Sequence, residues 1–99
     1  CPECGGPIRP DVVFFGELLP EGKVERLYRE VDRGFDMVFS VGTTSVFPYI
    51  SDPVLKGRRA GQPTVEINLG ETEISELVDF RLEMGAMDAL VALWERCEA

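Results

Sequence analysis

Three groups of residues in this chain have the types and spacing to do chemistry. The first is Cys1-Pro2-Glu3-Cys4-Gly5-Gly6, a Cys-x-x-Cys pair followed by two glycines. Two thiolates at this spacing are one arm of a structural zinc site, which needs four ligands, and glycine after the second cysteine lets backbone amides turn toward the sulfurs. A redox pair would need its first cysteine at a helix N-terminus, where the dipole lowers the thiol pKa. The following Gly-Pro-Ile-Arg-Pro cannot be helical, so zinc is the better reading of the two. The second group is Gly42-Thr43-Thr44-Ser45, a small hydroxyl-rich turn after an apolar run. The third is Asn68, again directly after an apolar run, followed by Leu69 and Gly70. Backbone amides and hydroxyls at such turns can hold a phosphate, and an amide side chain can hold a ribose hydroxyl. Each of these turns is also ordinary turn chemistry when taken alone. No Gly-x-Gly-x-x-Gly occurs, so the usual dinucleotide fingerprint is missing.

The chain contains no histidine. That removes the commonest general base and any self-contained Ser-His, Cys-His or histidine-metal site. Cys97 falls on the apolar side of the last predicted helix and is expected to be buried there.

These groups need elements to position them. Val24, Leu27, Tyr28 and Val31 recur at helical spacing, which predicts a helix over 21–33, with Gly34 as its stop. Val12–Phe15 is a short β-prone run ending at Gly16. Asp36–Val41 and Thr64–Ile67 read as buried strands, and Asp79–Leu82 as a brief third. Asp52 and Pro53 read as the cap and first residue of a second helix ending near Gly61. Residues 71–78 carry no clear pattern. A closing helix from about Gly85 to Cys97 puts Ala86, Ala89, Leu90, Leu93, Trp94 and Cys97 on one face. Alternating strands and helices with apolar strands imply an α/β fold with a parallel sheet, in which ligands sit at the carboxyl ends of the strands. Gly42, Asn68 and Gly85-Ala86 all stand at such ends. Three core strands are few for a free-standing sheet of this kind, so the chain reads as half of one.

Ninety-nine residues bound the chain to one small domain. At 44% hydrophobic and 28% charged it has an ordinary globular composition. The formal net charge of −8 argues against a nucleic-acid partner, which would want clustered Lys and Arg. The excess is concentrated after residue 65, where Arg81 and Arg96 face nine carboxylates. With no signal peptide and no apolar run of spanning length, the chain is expected to avoid membranes and to be cytoplasmic.

Arg9–Glu17, RPDVVFFGE, directly after the cysteine knuckle resembles the sirtuin family. Ser40–Thr44 (SVGTT), Val65–Asn68 (VEIN) and an Asp-x-x-Leu strand leading to Ala86 follow in the family's order. The resemblance implies an NAD-dependent protein-lysine deacylase, which passes the acyl group to ADP-ribose and releases nicotinamide. It implies a Rossmann-like domain with a small zinc ribbon inserted in it. Residues 1–17 would be one zinc-knuckle arm and a peptide-binding segment, and 18–99 the second half of the Rossmann-like domain. Cys1 and Cys4 would be one pair of zinc ligands. Gly42, Thr43, Thr44, Asn68, Leu69, Gly70 and Ala86 would border NAD. Val13, Phe15, Gly16, Glu17, Val46 and Phe47 would lie along an acylated-lysine protein substrate. The family's Gly-Thr-Ser is Gly42-Thr43-Thr44 here, and Met84 stands where the family has glycine. The catalytic histidine, the glycine-rich loop, the nicotinamide pocket and the other zinc cysteines have no counterpart among these residues. The expectation is a C-terminal part, inactive alone, missing an N-terminal half and prone to self-association through an unprotected strand at 36–41. A non-catalytic nucleotide- or peptide-binding module and a small structural zinc domain are the alternatives.

Overall fold

The computed structural model describes residues 1–99, in which six elements follow one another: α1 (Glu21–Arg33), β1 (Val38–Val41), α2 (Pro48–Arg59), β2 (Thr64–Ile67), β3 (Phe80–Leu82) and α3 (Ala86–Glu98). The three strands form a parallel sheet in the order β1-β2-β3, with Val38 opposite Thr64 and Ile67 opposite Leu82. Every residue of β2 is buried. Side chains alternate across a strand, so β2 serves two cores. Val38, Val54 of α2 and Ile74 pack on one face, while Val65, Ile67 and Ala89 of α3 pack on the other. Helices on both faces of a parallel sheet are the α/β architecture expected from the sequence.

α2 lies unusually close to β1. A Cβ added at Gly57 would come within 2.8 Å of Val38 Cγ2, so only glycine lets the helix approach this near. α1 packs outside α2, where the Tyr28 hydroxyl donates to Asp52 Oδ2 at 2.8 Å. That hydrogen bond, with burial and the carboxylate's charge, holds the Tyr28 hydroxyl above its usual pKa. Thr64 and Asp79 lock β2 to the start of β3: the Thr64 amide and hydroxyl both donate to Asp79 Oδ2, at 2.9 and 2.8 Å.

Four expectations need correction. α2 begins at Pro48, not at Asp52-Pro53. Phe47 is extended and Pro48 opens the helix, so the earlier of two proline signals sets the boundary. Pro53 sits inside the helix, and Asp52 receives Tyr28 instead of capping. Val12–Phe15 forms no strand, because side chains take its backbone groups, as described below. Cys97 is exposed, not buried. Of the apolar face of α3 only Ala89 is buried, and Trp94 is 65% exposed, because the helix is covered only where β2 faces it. Val31, by contrast, is buried.

Candidate functional site

The sheet brings the turns after β1 and β2 together at its carboxyl end. Gly42, at φ 64°, turns the chain out of β1 and donates its amide to Ile67 O at 2.9 Å. Asn68 donates from Nδ2 to Thr43 O at 3.0 Å and accepts at Oδ1 from the Gly70 amide at 3.3 Å. Its own amide goes to Leu82 O of β3 at 3.2 Å. Asn68 therefore joins all three strand ends. An amide side chain has four hydrogen-bonding positions, and two of these remain free on a half-buried residue. Thr44 and Leu69 are exposed beside it, and Ala86 is the half-buried first residue of α3.

Ser40 and Ser45, which the sequence motifs contain but to which no role was given, support the Gly42–Thr44 loop from beneath. Both are buried, with their hydroxyls 3.3 Å apart. Ser45 adopts φ 57°, a left-handed conformation unfavourable for a residue with a Cβ, and its amide is taken by Thr43 Oγ1 at 3.2 Å. Their signal was the alternation of the strand, which points Ser40 inward. Glu66, also missed, is 0% exposed. Its signal was a carboxylate in an otherwise apolar four-residue strand.

The second cluster is the loop from Arg9 to Glu17. Arg9 grips both carboxylate oxygens of Glu17, at 3.0 and 3.1 Å, and donates to Val12 O at 3.0 Å. Its guanidinium lies 4.8 Å from the centre of the Phe14 ring. Glu17 Oε2 in turn accepts the Phe14 amide at 3.0 Å. The Arg9 hydrogen bonds, then that of Phe14, hold the Glu17 carboxyl below the usual carboxylate range. Val13, Phe15, Gly16 and Glu17 line a cavity of about 180 Å³ with Phe47 and Tyr49. The Phe15 and Phe47 rings are 6.2 Å apart. Five of the six expected peptide-side residues thus meet at one cavity; Val46 is exposed and does not line it. A larger cavity of about 400 Å³ lies behind the loop, against Val24 and Leu27 of α1.

At the knuckle, the Gly5 amide donates to Cys1 O at 2.8 Å, with Gly5 at φ 70°. A Cβ on Gly6 would lie 3.4 Å from Cys4 Sγ, so the glycine leaves the sulfur unobstructed. The turn carries two exposed free thiols and no third metal-ligating side chain joins them, so these residues by themselves supply two of the four ligands a structural zinc takes.

Comparison with known proteins finds related sequences and structures. The sequence model described as "Sir2 family" matches residues 1–48. An NAD-dependent protein deacylase 2 of Pseudomonas aeruginosa is 51% identical over 90 residues, covering 91% of this chain and 35% of that protein. An NAD-dependent protein deacylase 1 of Archaeoglobus fulgidus is 40% identical over 95 residues, covering 92% of this chain and 38% of its own length. The chain thus spans about a third of the length of the curated relatives it matches. Among solved structures, a mutant Sir2 homologue in complex with ADP ribose superposes with a TM-score of 0.78 at 37% identity, covering 94% of this chain and 37% of that one. A Sir2–p53 peptide–NAD+ structure does so with a TM-score of 0.79 at 26% identity, covering 99% and 40%.

Proposed function

This chain belongs to the Sir2 family, and from that premise we propose that it forms the adenosine-binding and peptide-binding side of an NAD-dependent protein-lysine deacylase. The observation that carries the reading is Asn68 tied to Thr43 across adjacent strand ends, with two hydrogen-bonding positions left for a ribose diol. In this reading Gly42, Thr43 and Thr44 approach the nucleotide through their backbone and hydroxyls, while Leu69, Gly70 and Ala86 border the ribose and adenine. NAD supplies the ADP-ribose that accepts the acyl group as nicotinamide leaves. Val13, Phe15, Gly16, Glu17, Val46 and Phe47 receive the acylated-lysine segment, and Arg9 holds their loop in shape.

In this reading the histidine that would act as catalytic base is not among the 99 residues, which contain none. The chain alone therefore binds without reacting. Titration with ADP-ribose should move the amide resonances of residues 42–44 and 68–70, with a dissociation constant of about a millimolar or weaker because only part of the ligand is contacted. Nicotinamide release from NAD and an acetyl-lysine peptide should stay at the buffer blank. Shifts confined to other residues would refute the site, and release above the blank would refute the catalytic division.

Two finer points belong to the same reading. Cys1 and Cys4 supply two thiolates to a structural zinc completed by two more, in a cytoplasmic setting where free thiols persist. The outer edge of β1, Val38–Val41, carries no charge or proline to protect it, and Leu90 and Trp94 leave apolar surface open. A second copy of the chain covers that edge. Sedimentation across a concentration series should show association, reduced by Phe39→Lys; a monomer at high concentration would sink this point.

A further inference from the structure

The Glu66 carboxylate lies within the sheet core, on the face of β2 turned toward α2 and Ile74. The Thr72 hydroxyl donates to Oε1, and the Ser75 hydroxyl to Oε2 at 2.6 Å. Arg81 Nε stands 3.6 Å from Oε2, an ion pair too long for a hydrogen bond, and this nitrogen has no other partner. The Thr72 amide closes the turn onto Ser75 Oγ at 2.8 Å. Between these two residues, the Glu73 amide donates to Thr44 O at 3.2 Å. One buried side chain therefore holds the segment after Asn68, and that segment holds the loop after β1.

Stability alone gives a poor account of this arrangement. A buried ion pair is often matched or bettered by apolar residues of similar volume. What a carboxylate adds is direction: it fixes two hydroxyls, and with them the backbone between, in one geometry.

We propose that Glu66 is a positioning residue that sets the nucleotide affinity of the strand ends by tethering residues 72–75, and through Glu73 the Gly42–Thr44 loop. This rests on the NAD reading above. It adds a control point that touches neither ribose nor adenine.

The test compares the wild-type chain with Glu66→Gln and with Ser75→Ala, which loosens the same tether from the loop side and leaves the carboxylate in place. Amide hydrogen exchange is read without ligand, and ADP-ribose affinity by resonance titration. Losing a hydrogen bond to a charged group should speed exchange of the Glu73 amide about ten-fold. The Val38 and Asp79 amides, donated within the sheet to Pro63 O and Thr64 O, should change less than about two-fold, and ADP-ribose should bind roughly five-fold more weakly. A uniform rise in exchange would make Glu66 merely structural and overturn the inference, as would an unchanged Glu73 amide or unchanged affinity. If Glu66→Gln does not fold, Ser75→Ala alone decides by the same readings. A wild-type chain that binds no ADP-ribose overturns the NAD reading and this inference with it. Binding that is equal in wild type and variants overturns this inference alone.

Discussion

No residue before Val31 is buried, whereas β2 is buried along its whole length. The first nineteen residues hold their shape through a few exposed polar contacts centred on Arg9 and Glu17. The sheet holds its shape by excluding water from Val65, Ile67, Val38, Val54 and Ile74. The difference matters for function. A nucleotide site at strand ends inherits the rigidity of the core beneath it. A loop held by exposed ion pairs is close to balance between shapes, since such pairs contribute little. That suits the role proposed for this loop, closing on an extended peptide of variable sequence.

The largest expected effect tests the core. Ile67 is 0% exposed and packs against Val65 and Ala89. Ile67→Ala should lower stability by about 2–4 kcal/mol, through lost burial and the cavity left behind. For a domain this small that is a large share of the roughly 5–10 kcal/mol available. Phe15→Ala removes a larger side chain, but one that is 92% exposed, and should cost less than about 0.5 kcal/mol. Urea denaturation followed by circular dichroism compares the two. Equal costs would erase the distinction between the regions.

An intermediate effect comes from pH, because one carboxylate in each region is held below its usual range. In Asp79 the cause is the Thr64 hydroxyl, then the Thr64 amide; in Glu17 it is Arg9, then the Phe14 amide. A carboxyl with a depressed folded pKa contributes stability that is present above its unfolded value and is lost as pH falls through the folded one. The unfolded values are 3.8 and 4.5, so the Asp79 contribution fades as pH falls below about 3.8 and the Glu17 contribution as it falls below about 4.5. Protonating Asp79 should weaken the whole sheet. Protonating Glu17 should release only the loop. Asp79→Asn should therefore flatten the acid limb of global stability, and Glu17→Gln should leave it intact. The opposite pattern would mean that the loop, not the sheet, limits folding in acid.

The same division explains what could be read from the residues alone. α1 and β2 stand where periodicity and flanking glycine or asparagine put them: β2 is buried along its whole length, and α1 turns half-buried Val24, Leu27 and Tyr28 and buried Val31 to one side. The turns at Gly42 and Asn68 were legible for a related reason: in a parallel sheet, a strand end is a known position. Reading failed where two local signals competed, as with Pro48 and Pro53 in α2, and only packing could choose. It also failed at Cys97 and Trp94, where an apolar helix face has no partner element among these residues. Buried polar residues were the hardest. Ser45 makes sense only through its left-handed backbone, and Glu66 only through Thr72 and Ser75, six and nine residues on in a segment without a pattern, which spacing does not reveal. Val12–Phe15 read as β-prone because Val and Phe favour strands, yet Arg9 and Glu17 captured the backbone groups that a strand would have paired.

The smallest expected effect is on stability and the most informative about the loop. Arg9 performs three tasks at once: it binds both oxygens of Glu17, caps Val12 O, and stacks against Phe14. A lysine keeps the charge but has neither the planar fork nor the flat face, so Arg9→Lys removes the geometry and leaves the electrostatics. Global stability should change by less than about 0.5 kcal/mol, because the pair is exposed. The Phe14 amide, held by Glu17 Oε2, should nevertheless lose its protection from exchange, and the Phe14 and Phe15 ring resonances should move toward free-chain positions. The Val38 amide serves as the internal control in the sheet. If Arg9→Lys instead lowered global stability by more than about 1 kcal/mol, an exposed pair would be worth more than such pairs are, and the loop and the sheet would have to fold as one cooperative unit. If neither stability nor the Phe14 amide responded, the loop would be held by its aromatic contacts with Phe47, and the Arg9–Glu17 grip would be incidental.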